Sequence, residues 1–151
     1  METPWPPKNH YVFVVILVAL ILPFLSAYRV TAQDRLNDKD IEQRMKNLSS
    51  HTRKFRSMFN SALSKSTIRK TGQENDAKIL AENLENNSKN MLDSFKKGTK
   101  ADPYLLNCLD TAGKIDGVFK STQLDADTIA QWQRVQSQLK DLARAFHVPG
   151  Y

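Results

Sequence analysis

Beyond its first thirty or so residues the chain repeats apolar side chains at intervals of three and four, the spacing that lines one face of a helix. A first stripe of Ile41, Met45, Leu48, Phe55, Met58, Phe59, Ala62 and Leu63 predicts a helix over about 38–66. Ala77, Leu80, Ala81, Leu84, Ser88, Met91 and Phe95 predict a second over about 74–97. Leu105, Cys108, Leu109, Ala112, Ile115 and Phe119 predict a third over about 103–120, and Ile129, Trp132, Val135, Leu139, Leu142, Ala143 and Phe146 a fourth over about 126–147. No stretch alternates apolar and polar residues as a half-buried strand would.

The residues between the stripes read as starts and stops. Asp40 with Gln43 resembles a capping pair, and Thr71-Gly72-Gln73-Glu74 reads as a capping box opening the second helix. Asp102-Pro103 places a cap before a proline that needs no N–H, and Asp125 or Asp127 caps the last segment. Lys96-Lys97-Gly98 supplies cations and a glycine where a helix ends. Gly113 and Gly117 fall inside the third helix, where each costs about 1 kcal/mol relative to alanine. Four amphipathic segments on short connections pair most simply with their chain neighbours, predicting an all-α, up-and-down antiparallel four-helix bundle. Its expected core includes Leu48, Phe55, Phe59, Leu84, Met91, Phe95, Leu109, Phe119, Trp132, Leu139 and Phe146.

The N-terminal part is different. Residues 11–25 form an unbroken apolar run after the single cation Lys8, the layout of a secretory signal peptide. Val30-Thr31-Ala32 offers small side chains at the positions a signal peptidase reads, so cleavage is expected after Ala32, leaving one helical domain over 33–151. The rival expectation keeps residues 11–25 as a membrane anchor, against which Pro23 and Arg29 end the run short of the ~20 residues a spanning helix needs. A periplasmic or secreted location follows from the first reading, a membrane-anchored one from the second.

Composition narrows the chemistry. The one cysteine, Cys108, excludes an intramolecular disulfide and also the paired thiols of covalent haem attachment. It falls on the apolar face of the third helix and reads as a small buried hydrophobe. No nucleophile elbow, phosphate loop or Glu-x-x-His pair occurs, so no enzymatic activity and no bound metal or other cofactor are expected. The formal charge is +6, and removal of Lys8, Arg29 and Glu2 with the leader lowers it to +5. Basic clusters at Arg53–Arg56, Lys65–Lys70 and Lys96–Lys100 suggest an anionic envelope component as partner, with a merely solvated helix face as the bland alternative. Nucleic acid is not expected of an exported chain. His51, beside Arg53 and Arg56, reads as a solvated imidazole. Asn47-Leu48-Ser49 and Asn86-Asn87-Ser88 match the glycosylation pattern but sit inside predicted helices.

Two resemblances add to this. Met45 near the start of the first helix, and Phe146-His147 at the end of the last, are similar to the four-helix periplasmic b-type cytochromes. That likeness implies a non-covalent haem held by Met45 and His147, and an electron carrier as the alternative function. The spacing of Trp132, Val135, Leu139, Leu142-Ala143 and Phe146, together with the leader, resembles small exported four-helix bacterial proteins of unassigned function, which implies no activity.

Overall fold

A computed structural model describes residues 38–151, in which there are four helices and no strand. They are α1 (Asp38–Leu63), α2 (Gly72–Lys96), α3 (Asp102–Ser121) and α4 (Ala126–Ala145). The leader, the cleavage site after Ala32 and the apolar segment 11–25 lie outside the described residues. None of the four described helices is long and apolar enough to cross a membrane.

The helix ends show where local chemistry overrides the apolar period. α1 stops at Leu63, three residues before the expected 66, because the backbone tightens there: Lys65 N–H donates to Ala62 O at 3.0 Å and Ser66 N–H to Leu63 O at 3.1 Å. The hydroxyls of Ser64 and Ser66 bond Asn60 O and Leu63 O at 2.9 and 2.8 Å, the local competition by which serine discourages a continuing helix. Asp40 lies inside α1 without forming a capping pair with Gln43, whose amide instead donates to Asn47 Oδ1 at 2.9 Å.

At the start of α2, Thr71 Oγ1 accepts from Glu74 N–H at 3.3 Å, one half of the expected box. The reciprocal bond is shifted by one residue, since the Glu74 carboxylate accepts from Lys70 N–H. That bond holds Lys70 at φ 61°, a left-handed conformation a lysine otherwise avoids. The Lys78 ammonium at 2.7 Å and the Lys70 N–H together hold the Glu74 carboxyl below its ordinary range.

α3 begins one residue earlier than expected. Asp102 is its first residue and not its cap; Ala101 takes the cap position, and its carbonyl accepts from Tyr104 and Leu105 N–H at 3.1 and 3.3 Å. Ala101 is buried in the core cluster, so packing fixes the start where a side-chain cap does not. α4 is capped by Asp125, whose carboxylate accepts from the Thr128 N–H at 2.8 Å and hydroxyl at 2.9 Å, and the backbone bond chiefly draws its carboxyl below the usual range.

α2 and α4 end in the same motif. After α2, Gly98 at φ 66° lets Thr99 N–H reach Ser94 O at 2.9 Å and its own N–H reach Phe95 O at 3.0 Å. After α4, His147 takes the glycine position at φ 53°, with Val148 N–H on Ala143 O at 2.8 Å and its own N–H on Arg144 O at 3.1 Å. Val148 then packs on the core, the apolar contact that accompanies this turn. The last helix therefore ends at Ala145 and not 147.

One core runs through all four helices. Leu48, Phe55, Phe59, Leu84, Met91, Trp132 and Leu139 are buried; Phe95, Leu109, Phe119 and Phe146 are half-buried and pack against them. At its centre the rings of Phe55, Phe59, Phe119 and Trp132 lie with centroids 4.8 to 6.3 Å apart, joining α1, α3 and α4. Ile129 departs from the expected stripe and stands 39 % exposed, while Thr128 and Gln131 occupy buried positions on α4. α1 packs on α2 and on α4, α2 packs on α3, and the seam between α3 and α4 is much the thinnest.

Candidate functional site

The excess charge of the described residues lies in the stretch from α1 through the connection after α2, where five cations, Lys65, Arg69, Lys70, Lys97 and Lys100, stand in the connections and the two helices themselves hold nine Lys and Arg against eight Asp and Glu. Residues 38–101 hold fourteen Lys and Arg against eight Asp and Glu, a formal +6, whereas residues 102–151 hold five against six, or −1. Helix geometry then decides which charges an approaching partner meets. On α1, Lys39, Lys46 and Arg53 are spaced seven residues apart and so fall in one row. On α2, Lys89 and Lys96 repeat the same interval.

In the ion pairs within and between α1 and α2, two across the seam and two inside a helix, the acids lie under the bases. Glu85 forms ion pairs with Arg56, 2.9 Å from its Nε, and with Arg53, 3.5 Å from its Nε; its side chain is 15 % exposed against 73 % for Arg53. Glu74, 8 % exposed, lies beneath Lys78 at 35 %. Glu42 is likewise the more covered partner of Lys46, 2.8 Å away, and the bond from Lys46 draws its carboxyl below the ordinary value, with Lys96 adding to the pull. The carboxylates are recessed and the cations project, so the ion pairs leave a positive outer layer. Beneath it, a buried hydrogen bond of 2.8 Å between the hydroxyls of Thr52 and Ser88 fixes the register of the two helices.

These cross-helix pairs run in opposite order: Thr52 meets Ser88, Arg56 meets Glu85 and Ser64 meets Glu74. On the other side of α1, Arg44 meets Asp141 at 3.3 Å, and His51 meets Gln131. Periodicity did not foretell any of these polar pairs, because each depends on which helices become neighbours. His51 departs from the solvated imidazole expected of it: it is half-buried, and the buried Gln131 amide donates to its carbonyl at 3.0 Å and lies 3.2 Å from Nδ1.

The remaining sequence candidates fall as follows. Met45 is completely buried in the core cluster, and His147 is exposed beyond the end of α4, its backbone set by the terminal turn. Cys108 is buried, its S–H directed at Leu84 O 4.0 Å away, and burial pushes the thiol up to about 12. A thiol so shifted carries almost no thiolate at neutral pH and is a poor nucleophile. Of the glycosylation-pattern hydroxyls, Ser88 is buried in its bond with Thr52. Among the described residues no three of His, Cys, Asp and Glu gather as a metal-ligand set. Trp132 Nε1 donates to Asp116 at 2.7 Å, and Gln136 Nε2 bonds the same carboxylate oxygen at 2.8 Å, tying α4 to α3 across their thin seam.

Compared with family models, with curated proteins and with solved structures, the chain matches none.

Proposed function

We propose that this chain is an exported, non-enzymatic binding module: an up-and-down antiparallel bundle, freed of its leader after Ala32, that holds to an anionic component of the cell envelope through the outer face of α1 and α2. The observation that carries this is the layering of the ion pairs, within α1 (Glu42 under Lys46), within α2 (Glu74 under Lys78) and between them (Glu85 under Arg53 and Arg56), each with the carboxylate the more covered partner. A polyanion approaching that face meets cations first, and the attraction decays over a Debye length of about 8 Å at physiological salt. The opposite order of the cross-helix pairs supports the antiparallel topology. The haem reading through Met45 and His147 has no comparable observation behind it.

The test is retention of the protein on phosphatidylglycerol vesicles and on a heparin column as salt is raised. Binding should weaken steeply with salt, and reversing Lys46, Arg53 and Lys89 to glutamate should abolish it, while reversing Lys114 and Arg134 on the other half should leave most of it. Indifference to both supports, or equal loss from the two sets of reversals, rejects the reading.

A further inference from the structure

The thin seam between α3 and α4 leaves a cleft of about 240 Å³, lined by Leu109, Ala112 and Asp116 on one wall, Gln136 and Leu139 on the other, and Tyr151 at its edge. Its size is that of one long side chain and not of a large cofactor. Gly113 also borders it, and a Cβ built there meets nothing within 4 Å, so the opening is not filled by neighbouring atoms.

The chemistry of the lining is uneven. Leu109, Ala112 and Leu139 are apolar, and Asp116 supplies a carboxylate whose two donors, Trp132 Nε1 and Gln136 Nε2, are both neutral and share a single oxygen. These bonds orient the group without cancelling its charge. Tyr151 is 53 % exposed and presents an aromatic ring at the rim. An oriented carboxylate, an alkyl-lined wall and an aromatic edge suit a compact cation on an aliphatic stem.

We infer that the α3–α4 cleft is a binding site for a primary alkylammonium group, with Asp116 receiving the ammonium, Leu109, Ala112 and Leu139 covering the stem, and Tyr151 closing the rim. The site is separate from the basic face of α1 and α2 and does not depend on it. Residues 102–151, with their formal −1, offer no bulk repulsion to such a cation. Lys140, which also borders the cleft, is the one like charge at its edge.

The experiment is a titration of the full chain with n-pentylammonium chloride, followed by the indole N–H cross-peak of Trp132, identified by its loss in Trp132→Phe. A saturable shift is expected, with no such shift from n-pentanol. Asp116→Asn keeps an acceptor for Trp132 and Gln136 but removes the charge, and should weaken binding about tenfold or more. Gly113→Leu should fill the cleft and abolish binding, whereas Gly117→Leu, which borders a different crevice between α2 and α3, should not. Lys140→Ala should tighten it. Nα-acetyl-lysine amide, whose free ε-ammonium is flanked by backbone-like amides, distinguishes the sources: a response at least equal to that of n-pentylammonium assigns the site to a protein side chain, and a response to n-pentylammonium alone assigns it to a small molecule. No saturable shift, an equal response to n-pentanol, or binding unchanged in Asp116→Asn overturns the inference.

Discussion

The α1–α2 side and the α3–α4 side are built from helices of similar pattern and end as opposites. On the first, a buried hydroxyl pair and the recessed Glu85 join the helices, while Glu42 and Glu74 lie beneath cations of their own helices. On the second, the helices meet along a thin seam tied by one carboxylate, with Gly113 leaving room beside it. What differs is how the charges are spent. On α1 and α2, Glu42, Glu74 and Glu85 are held beneath the cations they pair with, while Asp38, Asp40, Asp76 and Glu82 stand exposed. On α3, Asp110 and Lys114 pair at 2.6 Å with both side chains well exposed, so neither sign projects beyond the other. An exposed pair of that kind adds little stability and little directional field.

The largest test of this contrast is in the core. Phe55→Ala removes a fully buried ring that touches Phe59, Phe119 and Trp132, and should cost about 3–5 kcal/mol in urea unfolding. Leu109→Ala, at the half-buried wall of the cleft, should cost less than about 2 kcal/mol. Equal costs would mean that the α3–α4 seam is as well packed as the rest, and the comparison would fail.

A smaller effect is expected from Glu85→Gln. Taking the recessed charge from beneath Arg53 and Arg56 should lower stability by up to about 1 kcal/mol, yet move elution from heparin to higher salt. Elution at unchanged or lower salt would show that the recessed acid does not screen the outer layer. Smallest is a gain: Gly113→Ala should raise stability by about 0.5–1 kcal/mol, since the position is helical and open. A loss there, measured by thermal melting, would show that the added methyl meets a neighbour and that the seam is closed.

Much of the fold was legible because helix formation and burial follow a local period. The stripes through Leu48, Phe55 and Phe59, through Leu84 and Met91, and through Trp132 and Leu139 each mark a buried face. The capping residues Thr71 and Asp125 were readable for the same reason, since a cap bonds the backbone two or three residues away. Where the reading missed, a longer-range contact had intervened. Burial of Ala101 moved the start of α3, and the seating of Val148 on the core drew His147 into a glycine's conformation.

The candidate surface was half visible. The sequence by itself determined that four two-sided helices would form and that the basic surplus would fall within residues 38–101, because period and composition are properties of the chain alone. Only the tertiary structure decided that Glu85 would lie under Arg53 and Arg56, that Gln131 would find His51, and that Asp116 would stand oriented beside an open cleft. Those outcomes depend on which helices become neighbours and at what register, and partners tens of residues apart in the chain are set by packing, which no local pattern encodes.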